Sequence, residues 1–192
     1  MMTIEEHQAR KGRSYKLLLL FGMVSIFMIF AGFLSGYVVS KSRPDWLKDF
    51  QIPSAFIWST ISILVSSITF YLALQAIKQN NRKKTSLMLL LTLVLGIVFI
   101  LLQFKGFSQF IENGYFVTGA SSNVTTSFMY IVVIVHIAHL FGGIISLLLV
   151  IYNHYKQKYN ASQTLGIELS GMYWHFMDFI WVLMFLFFYF YK

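Results

Sequence analysis

The chain alternates long apolar runs with short polar breaks. Predominantly apolar residues cover about 15–40, 52–77, 86–104, 124–152 and 169–190. Each run is long enough to cross the roughly 30 Å hydrocarbon layer as a helix, which takes about 20 residues. A backbone in lipid must satisfy its own hydrogen bonds, and barrel strands would be shorter and would alternate in polarity. The pattern therefore predicts an all-α integral membrane bundle of five transmembrane helices, forming one domain over residues 1–192. The first run exceeds a signal-peptide core and no small-residue cleavage site follows it, so it is expected to remain as an anchor.

Composition agrees with this reading. Hydrophobic residues make up 57% of the chain and charged residues 11%, whereas soluble domains are about a quarter charged. The net charge of +8 would suit nucleic acid in a soluble domain. Here the basic residues sit in short clusters beside apolar runs, where membrane topology puts them, so no nucleic-acid partner is expected. Arg10, Lys11, Arg13 and Lys16 precede the first span, Lys78, Arg82, Lys83 and Lys84 follow the second, and Lys156 and Lys158 follow the fourth. Lys41, Arg43, Lys48, Lys105 and the terminal Lys192 fall on the other side, partly offset by Asp45, Asp49 and Glu112. The positive-inside rule makes the N-terminus cytoplasmic and the C-terminus external. The absence of Cys excludes disulfides, thiolate metal sites and thiol chemistry. The loops are short, with the longest expected over about 105–123, so function must lie within the bundle or on its faces. Asn123-Val124-Thr125 matches a glycosylation sequon, a pattern that is frequent by chance.

Small residues mark packing surfaces. Ser59, Ser62, Ser66, Thr69, Ala73 and Ala76 recur at steps of three and four, one face of the second helix. Helices in lipid associate through close backbone approach and hydroxyl hydrogen bonds, so this seam is a helix–helix contact. Gly32 with Gly36, and Gly142 with Ser146 beside Gly143, are weaker signals of the same kind.

Polar groups at membrane depth carry the candidate chemistry. The fourth span holds His136 and His139, and the fifth holds His175 and Asp178, each pair three residues apart; Glu168 lies seven residues before His175. A carboxylate at mid-membrane costs about 2.5–3.5 kcal/mol on insertion scales, so it must face the bundle and find partners. The expectation is that the fourth and fifth helices turn these groups toward each other. Three readings follow: haem or metal ligation, a proton path, or a polar network that fixes the bundle and grips a lipid headgroup. No HExxH or carboxylate-rich di-metal pattern supports the first, and no pair of broken helices supports a transporter. The network is the favoured reading.

Several motifs together resemble one family. Tyr173-Trp174-His175-Phe176-Met177-Asp178, followed by Trp181 and preceded by Glu168, resembles the last-helix motif of haem–copper oxidase subunit III. His136-Ile137-Ala138-His139 through Gly143, Ser66-Ser67-Ile68-Thr69, and Leu95-Gly96 with Phe99 and Gln103 are similar to further motifs of that family, in the same order. The likeness resembles the short, five-helix bacterial form. It implies a redox-inactive subunit of the bacterial cytoplasmic membrane that stabilises catalytic subunit I, beside subunit II, and supports proton uptake during oxygen reduction. Haem and copper would belong to those partners, with none bound by this chain and no catalytic or metal-ligating residue in it. A structural phospholipid is a further expectation, with Glu168, Trp174 and the His–Asp residues as its polar surroundings. The sequence departs from the family pattern at Ile26, where a Glu is common, at Lys105-Gly106, and at Val133-Ile134 in place of Thr-Gly. Alternatives are the subunit III of a quinol oxidase, the related accessory protein of nitric oxide reductase, a haem-binding electron carrier using His136 and His175, and a small proton channel.

Overall fold

The computed structural model describes residues 4–47, 51–119 and 122–191. It contains α1 (Ile4–Val39), a 3₁₀ turn (Ser40–Ser42), α2 (Ser54–Lys78), α3 (Arg82–Glu112), α4 (Val124–Tyr155) and α5 (Leu165–Phe190). All five α-helices are long and apolar enough to span a membrane, and the described residues hold only isolated β-bridges besides.

The helices outrun the apolar stretches that predict them. α3 continues eight residues past 104, through Lys105 to Glu112, which shortens the connection expected over 105–123. The polar extension is held by tertiary contacts. Gln109 Oε1 accepts from the Ala55 backbone N–H and its amide donates to Ser54 Oγ, capping the start of α2. Phe110 is fully buried against Phe56, Tyr115 and Tyr130. Hydropathy marks the part of a helix that lies in lipid, not its capped and packed ends.

The helix termini close by local chemistry. After α2, the N–H of Asn80 reaches Ile77 O and that of Asn81 reaches Ala76 O, a Schellman closure in which Asn80 takes the left-handed φ of 58°. Gly114 after α3 and Gln157 after α4 occupy the same position, at φ 80° and 57°. Asn81 and Asn123 then cap α3 and α4, accepting from Lys84 N and Thr126 N. The side chain of the sequon residue Asn123 is thus a helix cap.

α2 is the hub. It packs antiparallel to α3 along most of its length and also against α5, which in turn touches α4 and α1. The seam of α2 divides between two neighbours. Gln103 donates to Ser59 Oγ, Ser62 donates to Leu95 O, and Thr69 pairs with Thr92, all on α3, while Ser66 accepts from Trp174 on α5. α1 lies on α4 and α5 and has no packed contact with α2. The Gly32–Gly36 pair is not one packing surface within the chain. Gly32 is exposed, and a Cβ added there would meet nothing within 4 Å, whereas one at Gly36 would meet the Phe128 ring. Gly143, and to a lesser degree Gly142, give the room in which Tyr173 and Trp174 of α5 approach α4.

Candidate functional site

α5 presents its motif residues at intervals that suit an antiparallel partner. Trp174 Nε1 donates to Ser66 Oγ at 3.1 Å, His175 Nδ1 pairs with Ser67 Oγ at 2.6 Å, and Trp181 Nε1 donates to Thr60 Oγ1 at 2.9 Å. As the α5 number rises the α2 number falls, so these bonds form a ladder between the two helices. Trp174 is fully buried, and Gly96 on α3 makes its place: a Cβ there would stand 2.8 Å from the indole.

Asp178 lies on the same side, 3% exposed, and neither carboxyl oxygen has a hydrogen-bond partner among the described residues. The Ser67 hydroxyl is a polar neighbour of this carboxyl but makes no hydrogen bond to it, being paired with His175 Nδ1. Ser67 thus stands between a buried acid and a half-buried imidazole.

The histidines of α4 go elsewhere. His136 is fully buried and both ring nitrogens are unpartnered among the described residues. Its ring is enclosed by Trp181 at 5.2 Å, Phe99 at 5.8 Å and Phe30 at 6.1 Å between centroids. His139 returns its Nδ1 to the Val135 carbonyl at 2.8 Å, and Tyr173 Oη donates to the His139 carbonyl. The expected meeting of the four polar residues between α4 and α5 is therefore corrected: no hydrogen bond or ion pair joins His136 or His139 to His175 or Asp178 among the described residues. The reason is rotational. The face of α5 that holds His175 and Asp178 turns to α2, while α4 turns His136 onto the aromatic rings of Phe30, Phe99 and Trp181. Nor does the arrangement fit haem between His136 and His175, because aromatic rings enclose His136 and Ser67 holds the Nδ1 of His175.

Glu168 forms a separate knot at the end of the bundle where α1, α3 and α5 begin. It takes Lys16 of α1 at 2.6 Å, Lys78 of α2 at 3.5 Å, and the Thr164 hydroxyl at 2.9 Å. One carboxylate thereby ties three helices at the basic end.

Ser67, Thr60, Phe30 and Phe99 belong to these surroundings, and the sequence did not single them out as site residues. Ser67 had a signal in the Ser66-Ser67 pair, but it lies off the seam and only the turn of α5 gives it a role. Comparison with known proteins places this sequence in a family. The family model for "Cytochrome c oxidase subunit III" matches residues 4–192. This chain belongs to the cytochrome c oxidase subunit III family. A "Cytochrome c oxidase subunit 3" of Alkalihalophilus pseudofirmus is 30% identical over 126 residues, 66% of this chain and 60% of that protein. One of the same name from Bacillus sp. (strain PS3) is 28% identical over 82% of this chain and 76% of its own. A "Cytochrome bo(3) ubiquinol oxidase subunit 3" of Buchnera aphidicola is 28% identical over 71% and 65%. The chain thus spans about three fifths of the first of these relatives. Five helices long and apolar enough to span a membrane agree with that membership, and the residues that carry the sequence resemblance are the ladder residues of α5 and α2 together with the α4 histidines.

Proposed function

We propose that this chain is the redox-inactive subunit III of a haem–copper terminal oxidase, seated beside subunit I in a bacterial cytoplasmic membrane. The observation that carries the reading is the family match over residues 4–192, with each motif built into a contact between helices. Trp174, His175 and Trp181 tie α5 to α2, which suits a stabilising role. The chemistry of oxygen reduction belongs to the partners, and this chain keeps subunit I stable and supports its proton uptake. Relatives named for cytochrome c and for ubiquinol leave both electron-donor classes within the reading, with the cytochrome c type as the principal one. The basic end, with Lys11, Arg13, Lys16, Lys83, Lys84 and Lys158, is cytoplasmic by the positive-inside rule.

A second observation supports the structural phospholipid. A cavity of about 710 Å³ at the basic end is lined by Lys11, Arg13, Lys16, Lys158 and Thr164, and by Glu168, whose carboxylate is already paired with Lys16 and Lys78. A second, of about 480 Å³, runs along Leu19, Ser146, Leu149, Leu169 and Tyr173. They share Tyr15, Tyr159 and Gly166. A basic mouth above an apolar groove has the form of an anionic headgroup site with an acyl-chain channel.

The test is affinity purification of the tagged chain from gently solubilised membranes, with a visible spectrum of the eluate. Haem-containing subunits and oxygen consumption in the eluate support the reading. A chain recovered alone and colourless, from membranes that retain oxidase activity, overturns it. Replacing His175 and Asp178 together by Leu is expected to reduce recovery of the assembled complex; unchanged assembly and turnover would show that the polar ladder is dispensable.

A further inference from the structure

His175 has a second nitrogen that the chain does not use. Nδ1 is taken by Ser67, while Nε2 makes no hydrogen bond among the described residues and is absent from the fully enclosed polar atoms. The residue is partly exposed. Its depth follows from helix geometry. His175 lies ten residues into the 26-residue α5, and Ser67 thirteen residues into the 25-residue α2. At 1.5 Å per residue the imidazole is roughly 10 Å further into the bilayer than Glu168. Acyl chains cannot hydrogen-bond to it, and an unmet polar atom at that depth costs free energy comparable to a lost hydrogen bond or more.

The surrounding surface is a gap. α1 and α2 each pack on α5 but not on each other, so between them α5 shows a strip containing Met172, His175 and Phe179 one helical turn apart. The strip is flanked on α2 by Ile68, 60% exposed, and Tyr71, 53% exposed, while Phe179 on α5 is 56% exposed. Lys16, Glu168 and Lys78 close the gap at the basic end. What remains open is an exposed apolar strip of α5 and α2 with one polar atom at its mid-depth.

We propose that this α1–α2 gap receives a transmembrane helix of a partner oxidase subunit, which places a hydrogen-bonding side chain against Nε2 of His175. The inference rests on the subunit reading above and specifies which face of the chain serves it. A helix with an apolar surface and one polar residue at the right depth satisfies every feature of the strip. Lipid alone leaves Nε2 unmet.

The experiment places a photo-reactive amino acid at position 68 or 179, and at position 145 as the control, in the chain expressed with its oxidase in native membranes. Ile145 is 59% exposed on α4, which packs on α1, α3 and α5 but not on α2. After illumination, mass spectrometry identifies adducts in the purified complex. Protein adducts from 68 and 179 to one oxidase subunit, with only lipid adducts from 145, are expected. His175→Phe should lower recovery of that subunit roughly threefold to tenfold, the range of one hydrogen bond between helices in lipid. Lipid adducts alone at 68 and 179 in a complex that still copurifies with haem subunits overturn the docking face and leave the subunit reading standing. A chain that copurifies with no haem subunit overturns both.

Discussion

Two buried aromatic side chains invite opposite substitutions. Trp181 donates to Thr60 and packs on Phe99 and Phe56, so Trp181→Phe loses a hydrogen bond and volume, with an expected cost of about 1–2 kcal/mol. His136 has no partner for either nitrogen among the described residues, and a polar group in apolar surroundings is a liability that an apolar ring of similar shape removes. His136→Phe is therefore expected to leave the stability of the isolated chain unchanged or to raise it, by up to about 1 kcal/mol. Unfolding in detergent by denaturant, followed by tryptophan fluorescence or circular dichroism, compares the two. A large loss for His136→Phe would mean that the ring holds a water or ion inside the bundle. The sequence exposed His175 and Asp178 as a pair because an i, i+3 spacing puts them on one helical side. It did not expose that His136 belongs elsewhere, since the rotation of α4 about its axis is set by Phe30, Phe99 and Trp181 from three other helices.

Whole helices show where hydropathy stops being informative. The cores of all five were legible as apolar runs, whereas the last eight residues of α3 were not, because Gln109 and Phe110 owe their helical state to contacts with α2 and the α3–α4 connection. Close approach between helices was legible only in part. The α2 seam was visible as a row of hydroxyl and Ala positions, but Gly96 matters through the indole of Trp174, which is far away along the chain. Gly96→Val is expected to destabilise the bundle by about 1–3 kcal/mol, as overpacking does, and thermal unfolding of the purified chain would register it. The end of α4 offers the reverse. Gln157 holds φ 57°, a conformation in which a side chain is disfavoured and glycine is not. Gln157→Gly should leave stability unchanged or raise it by up to about 1 kcal/mol; a clear loss would show that the Gln side chain itself matters.

The molecule as a whole is tied most visibly at one end. Glu168 holds Lys16 and Lys78, both roughly half exposed at their side chains, so each pair is worth at most about 1 kcal/mol in solution-like surroundings and is screened by salt. Their effect is positional rather than energetic, because α1 is the least buried of the spans, with 11% of its most apolar window inside the bundle. Glu168→Gln should leave the core of α2, α3 and α5 intact while loosening α1. Disulfide trapping between Cys introduced at Gly12 and Leu165, which face each other, would fall while the unfolding midpoint moves little. Equal trapping in the variant would assign the seating of α1 to packing alone.

That seating has a consequence for how the protein is made. The bond from Lys16 to Glu168 joins positions 152 residues apart, and the helices that α1 touches, α4 and α5, are the last two to leave the ribosome. α2 and α3, by contrast, are joined by a three-residue turn and can pair as soon as both are inserted. During synthesis α1 must wait in the bilayer as a lone span, stable by its own hydropathy, until its docking surface exists. A translation product halted before α4 would therefore carry a formed hairpin and a first helix with nothing to dock on.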